Sequence, residues 1–179
     1  MKRWNFAILI VSVALLPFLG GCATEYYVTG GRLDQESAAA IALFKRTDPS
    51  LKDLLARSAG YAVFPSITKG AAGIGAARGE GEVFAKGNLI GTTTMTQITI
   101  GMQLGGQEYA EIILFEDKLS LDQFAENQFA LSAQATAVAA AEGASADANY
   151  QKGVVVFTIA KGGLMYQAAI SGQKFSIRK

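Results

Sequence analysis

The chain contains no histidine. That removes the commonest general base, the commonest metal ligand and every histidine-dependent triad. Its single cysteine, Cys22, leaves neither an intrachain disulfide nor a thiolate metal cluster. Any catalysis would rest on carboxylates, lysine, serine or tyrosine. Charge is also sparse: 17% of the 179 residues carry it, with a formal net charge of +1. Without Lys2 and Arg3, which belong to an N-terminal leader, 14 basic residues face 15 acidic ones. A near-neutral body lacks the clustered Lys and Arg that displace counterions from nucleic acid, so nucleic acid is not an expected partner. The remainder, 50% hydrophobic, suffices for one domain with a real core.

Met1-Lys2-Arg3 is a positive start, and the apolar run Phe6 to Leu16 is too short for the roughly 20 residues of a spanning helix. Pro17 breaks the run, and Leu19-Gly20-Gly21-Cys22 follows. This resembles the bacterial lipoprotein signal, which ends in Leu, two small residues and an obligatory Cys. A cysteine thiolate is the nucleophile that thioether formation with a diacylglycerol group requires. The expected organisation is a signal peptide over 1–21, a lipidated tether over 22–33 and a domain over 34–179. Several acyl chains on Cys22 would anchor stably, each buried CH₂ contributing about 0.8 kcal/mol. In lipoproteins of this type an Asp after the Cys favours the inner membrane; Ala23 stands there, which implies the outer membrane.

Asp34 is placed to cap a first helix, with Ala38, Ile41, Ala42 and Lys45 on one face and Phe44 beside it. Asp48-Pro49 ends that helix and starts a second, whose stripe is Leu51, Leu54 and Leu55. Ser120 with Gln123 reads as a capping box opening a third helix with apolar residues Leu121, Phe124, Ala125 and Phe129. Leu131 to Ala141 alternates with period two and is predicted as a strand. Further strands are predicted over Val154 to Ala160, Leu164 to Ile170 and Lys174 to Arg178.

Between the helices, Ala59 to Phe115 is rich in β-formers and broken by glycines at intervals too short for helix. Glycine inside a strand pattern marks a bulge, a bend or close approach of another backbone. The stretch predicts a sheet bent over on itself, with a hairpin turn at Gly87-Asn88 and a second hairpin across Gly105-Gly106. The fold class is α+β: one domain, a curved and mainly antiparallel β-sheet, with helices over Asp34–Arg57 and Leu121–Phe129 as its cover.

The run Phe64-Pro65, Lys69-Gly70, Gly73-Ile74-Gly75, Gly79-Glu80-Gly81, then Gly101 to Gln107 and Ala160 to Met165, resembles a SYLF domain in order, from about Asp34 to the C-terminus. The resemblance implies a lipid-binding domain; eukaryotic relatives are associated with phosphoinositide membranes and actin, and bacterial relatives are often exported. The Trp-containing segment common in eukaryotic members is Thr92-Thr93-Thr94-Met95-Thr96-Gln97 here, so their headgroup preference does not carry over.

Three motifs invite other chemistry. Gly73-Ile74-Gly75-Ala76-Ala77-Arg78 lacks both the third glycine and the following helix of a dinucleotide fingerprint. Ser66-Ile67-Thr68-Lys69 matches the Ser-x-x-Lys of penicillin-binding enzymes, but neither Ser-Asp-Asn nor Lys-Thr-Gly follows. Glu108, Glu111, Glu116 and Asp117 read as strand-end surface charge. Lys69, Arg78 and Lys161 are the candidate lipid-binding residues, the two lysines beside glycines where backbone N–H groups can face a phosphate. The sequence thus supports a non-catalytic, lipid-anchored envelope protein that binds membrane phospholipid, with no cofactor and no identifiable protein partner. The alternatives are an anchored interaction module without headgroup binding, and an envelope hydrolase using Ser66 and Lys69.

Overall fold

The computed structural model describes residues 31–131, 137–162 and 170–179. Two helices, α1 (Arg32–Thr47) and α2 (Leu51–Arg57), precede two very long strands, β1 (Gly60–Ala85) and β2 (Asn88–Phe115). Helix α3 (Lys118–Ala125) and strands β3 (Val138–Ala139), β4 (Val154–Gly162) and β5 (Lys174–Arg178) complete the described elements. Every strand pairing is antiparallel except β3 with β4. The architecture is α+β, as the sequence predicts.

β1 and β2 form one hairpin, and this hairpin folds over on itself. Its first layer joins the start of β1 to the end of β2, with β4 and β3 beyond. Its second layer joins the end of β1 to the start of β2, with β5 alongside. The two layers meet along β1, where Gly79 approaches Ile67 and Gly81 approaches Phe64. Their facing sides enclose one core: Phe64, Ile67, Tyr109, Ile113 and Phe115 from the first, Val83, Met95 and Phe175 from the second. Phe115, Phe124, Phe129 and Phe175 close one end, with ring centroids 4.9–6.2 Å apart.

A second core lies on the outside of the first layer. There Ala40, Phe44, Leu51 and Leu54 of the helices cover Val63, Ala110, Ile112, Leu114, Val155 and Phe157. The buried stripe of α1 is Ser37, Ala40 and Phe44, so the helix is rotated from the face predicted on Ala38, Ile41, Ala42 and Lys45. Phe44, fully buried, sets that rotation because it is the largest side chain the helix can bury there.

Several local expectations need correction. The glycine-rich segment does not separate short strands; it stays in the ladder, with Gly70 opposite Gly106 and Ala71 opposite Gly105, so there is no second hairpin. The bend is taken up instead by register shifts, one of them at Pro65-Ser66, where proline's missing N–H costs no ladder bond. The single turn is Lys86-Gly87, both residues with positive φ (48° and 82°), one position before the predicted Gly87-Asn88. Asp117, not Ser120, caps α3: its carboxylate accepts from the Ser120 backbone N–H at 2.8 Å. The helix ends at Ala125, short of Phe129. Asp48 does terminate α1, and its buried carboxylate also accepts from the Ser50 N–H and hydroxyl and from Ser145 N at 2.7 Å. Burial works against its charge, but these bonds prevail and hold its pKa below the usual carboxylate range. Of the strand predicted over Leu131 to Ala141, Val138–Ala139 is extended and 132–136 lie outside the described residues. Most of the strand predicted from Leu164 lies outside them too, as does Cys22.

Candidate functional site

Helix α1 covers one margin of the second layer's outer face, where Glu82 lies buried against Asp34 and Ser37; Arg78, Glu80, Thr96, Lys174, Ser176 and Arg178 stay exposed beyond it. Alternation puts every second side chain of the layer's three strands on this face. Register then aligns them in rows across β1, β2 and β5: Arg78, Thr96 and Lys174 in one row, Glu80, Thr94 and Ser176 in the next. Glu82, Thr92 and Arg178 follow in a third. Arg78, Thr94, Thr96, Lys174, Ser176 and Arg178 line a shallow groove of about 460 Å³. Three cations and three hydroxyls around one groove supply what a phosphate group needs, charge and hydrogen-bond donors together. Acids also stand here: Glu82 is buried against α1, Glu36 of α1 lines a hollow with Arg78, and Glu80 lies 3.8 Å from the Arg78 guanidinium with both side chains more than half exposed, so water screens that pair.

The three predicted lipid-binding residues do not converge. Arg78 is on this face. Lys69 is turned to the opposite side of the sheet, 6% exposed, following Ile67 on the inner face and opposite Gln107. Burial depresses its pKa. Lys69 and Arg78 therefore stand on opposite faces of the sheet and do not share one site. Lys161 lies in a separate hollow beside α1, its Nζ 3.9 Å from the Glu108 carboxylate. Lys174 and Arg178 were not singled out by the sequence, although their alternation with Phe175 and Ile177 places both on one face.

Ser66 and Lys69 are not assembled as a hydrolase pair. The Ser66 hydroxyl donates to Glu108 Oε1 at 2.8 Å on the outer side, while Lys69 is on the inner side. Ser66 also lies in a strand rather than at a helix start, where the Ser-x-x-Lys arrangement needs it. Among the described residues no group of three or more His, Cys, Asp or Glu is arranged to hold a metal ion.

The acidic residues read as surface charge divide. Glu111 is fully buried, and its Oε2 accepts from Gln173 Nε2 at 3.0 Å. Burial pushes its pKa up to about 7, a rise that the bond from Gln173 only partly opposes. Glu82, also buried, has its pKa raised by burial and then by Asp34 of α1. Glu111 sits inside the fold, whereas Glu82 is buried under α1 at the margin of the face that carries Arg78 and Arg178.

Residues 96–179 match the family described as Ysc84, the Las17-binding protein actin regulator. The chain is 33% identical over 150 residues to Beta cell expansion factor A of Aeromonas veronii, an alignment covering 79% of this chain and 54% of that protein. The chain therefore spans about half the length of this curated relative. The matched region includes β4, β5 and the β2 segment that bears Thr96, and the family is associated with lipid binding. These matches identify the chain as a member of the Ysc84, or SYLF-domain, family.

Proposed function

We propose that this protein is a lipid-anchored bacterial cell-envelope protein whose folded body binds membrane phospholipid without catalysis. The observation that carries the reading is the row Arg78–Thr96–Lys174, extended by Arg178, exposed on a sheet face that α1 covers only at its Glu82 margin. The domain's formal charge is close to neutral, so attraction is local: phosphate in the groove, held by charge-assisted hydrogen bonds. The acyl chains expected on Cys22 hold the domain at the outer membrane, and the groove then engages headgroups.

The test is whether phospholipid copurifies with residues 23–179, the chain without its acylation site. Mass spectrometry should find bacterial phospholipid bound to that fragment and less of it after Arg78→Glu with Lys174→Glu. Fragment free of lipid, and unable to take lipid up from vesicles, would instead favour an anchored interaction module. The family description, which names a protein-binding actin regulator, keeps that second reading open.

A further inference from the structure

The cationic rows continue into an apolar end of the same face. Next along the strands from Arg78 and Thr96, Ala76 stands opposite Ile98, and Ile74 follows. Ile98 is 75% exposed and Ile74 is 68% exposed, more than any other large hydrophobic side chain among the described residues. They are diagonal neighbours, a spacing of roughly 7–8 Å in an antiparallel pair. Two isoleucines pointing into water beside three cations are poorly matched to a soluble anion. Phosphate in the groove would leave both in water; a bilayer would bury them among its acyl chains.

The path of the chain supports the same occupant. Helix α1 begins at Arg32, and Arg32 and Leu33 line one hollow together with Arg78 and Glu80. The tether from Cys22 therefore enters the domain at the margin of this face. Its ten residues reach at most about 35 Å when extended, so the membrane holding Cys22 lies within range.

We propose that this face docks flat on an anionic bilayer, with Ile74 and Ile98 inserted below the headgroups and Arg78, Lys174 and Arg178 level with the phosphates. This rests on the lipid-binding reading above and adds its orientation and its lipid class. The Thr92-to-Gln97 segment forms the middle strand of the docking face, so the hydroxyls of Thr94 and Thr96 meet the headgroups.

The test uses the full chain reconstituted with vesicles of phosphatidylcholine, alone or mixed with phosphatidylglycerol, both kinds carrying the same fraction of a photoactivatable phosphatidylcholine. Cross-linked peptides are mapped by mass spectrometry. Labelling at Ile74 and Ile98 is expected, strongest in the anionic vesicles. Arg78→Glu with Lys174→Glu should reduce it by at least roughly thirtyfold, what the loss of two cations at an anionic surface implies before the repulsion of two new carboxylates is added. Ile98→Asp, an exposed substitution that leaves the core untouched, should reduce it as well. Labelling elsewhere within residues 31–179, unaffected by these variants, would overturn the docking face and leave lipid binding standing. Labelling confined to residues 1–30 would overturn both. Equal labelling with and without anionic lipid would overturn the assigned lipid class.

Discussion

Gly81 lies against the carbonyl oxygen of Val63, which belongs to an earlier part of the same strand. A methyl group at position 81 would overlap that oxygen and stand 2.7 Å from Cδ1 of Phe64. This contact records the fold-over of the hairpin: β1 leaves the first layer and returns against itself in the second. Only a residue without a Cβ lets the two stretches of backbone meet this closely.

Gly81→Ala is therefore expected to destabilise the domain by about 1–3 kcal/mol, the usual cost of forcing atoms into a packed interior. Gly70→Ala is the internal control. Gly70 also lies in β1, but a Cβ there would meet nothing within 4 Å. Its stability in chemical denaturation should stay within about 0.5 kcal/mol of wild type. Equal costs at the two positions would mean that the close approach at Gly81 does not constrain the fold.

Much of this architecture was legible because alternation and glycine spacing are local. The strand Lys174–Arg178 is read correctly to the residue, and the bent sheet follows from glycines that would be costly elsewhere. Continuity was not legible. Gly105 and Gly106 look like a turn, yet they pair with Ala71 and Gly70, because a glycine can bend a ladder without leaving it. The faces of the candidate residues were only partly legible. Arg78, beside its glycines, stands on the candidate face, whereas Lys69, in a similar sequence setting, faces inward. Its place two residues after Ile67 on an alternating strand is the signal for the inner face, and the glycine beside it does not carry that signal. Lys174 and Arg178 gain meaning only when β5 pairs with β2, a long-range register that no local pattern specifies.

Glu111 predicts a pH dependence of stability. Its folded-state pKa, about 7, lies above the ordinary glutamate value, so the native state holds the proton more tightly than the unfolded chain. Its contribution is therefore most favourable below the ordinary value, falls as pH rises toward 7, and levels off above it. The total change is on the order of 3 kcal/mol. Glu111→Gln keeps the shape and removes the charge, so it should flatten this part of the curve and stabilise the domain at alkaline pH. Parallel curves for wild type and variant across that range would show that Glu111 is not the titrating group.

Asp48 predicts the opposite sign. Its pKa is held below the usual range, so its contribution is present above the unfolded value and is lost as pH falls through the folded one. Asp48→Ala removes the acceptor shared by Ser50 and Ser145 and leaves the buried Ser145 N–H without that partner. A loss of about 1–3 kcal/mol at neutral pH is expected in denaturant unfolding. A smaller loss at acid pH should accompany it, since the wild-type carboxylate is then protonated.

Cys22 predicts a chemical modification. The mature N-terminus should carry acyl chains visible as a mass increment, and the protein should fractionate with the outer membrane. Cys22→Ser keeps the size but removes the nucleophile, and should abolish both. An unmodified cysteine on the mature protein would remove the anchor from the account.

The central claim, that the body itself binds membrane lipid through the Arg78–Lys174–Arg178 face, is tested most directly by sedimentation of residues 23–179 with neutral and anionic vesicles, at low and physiological salt. Binding to anionic vesicles is expected, with a shallower salt dependence than a polybasic segment shows, because few cations act and apolar insertion adds a salt-independent part. Reversing Arg78 and Lys174 to Glu should weaken it, whereas Lys161→Glu, in the separate hollow with Glu108, should leave it near the wild-type level. No binding in any of the four conditions, or binding that the Lys161 variant loses and the Arg78 and Lys174 variant keeps, would contradict the claim.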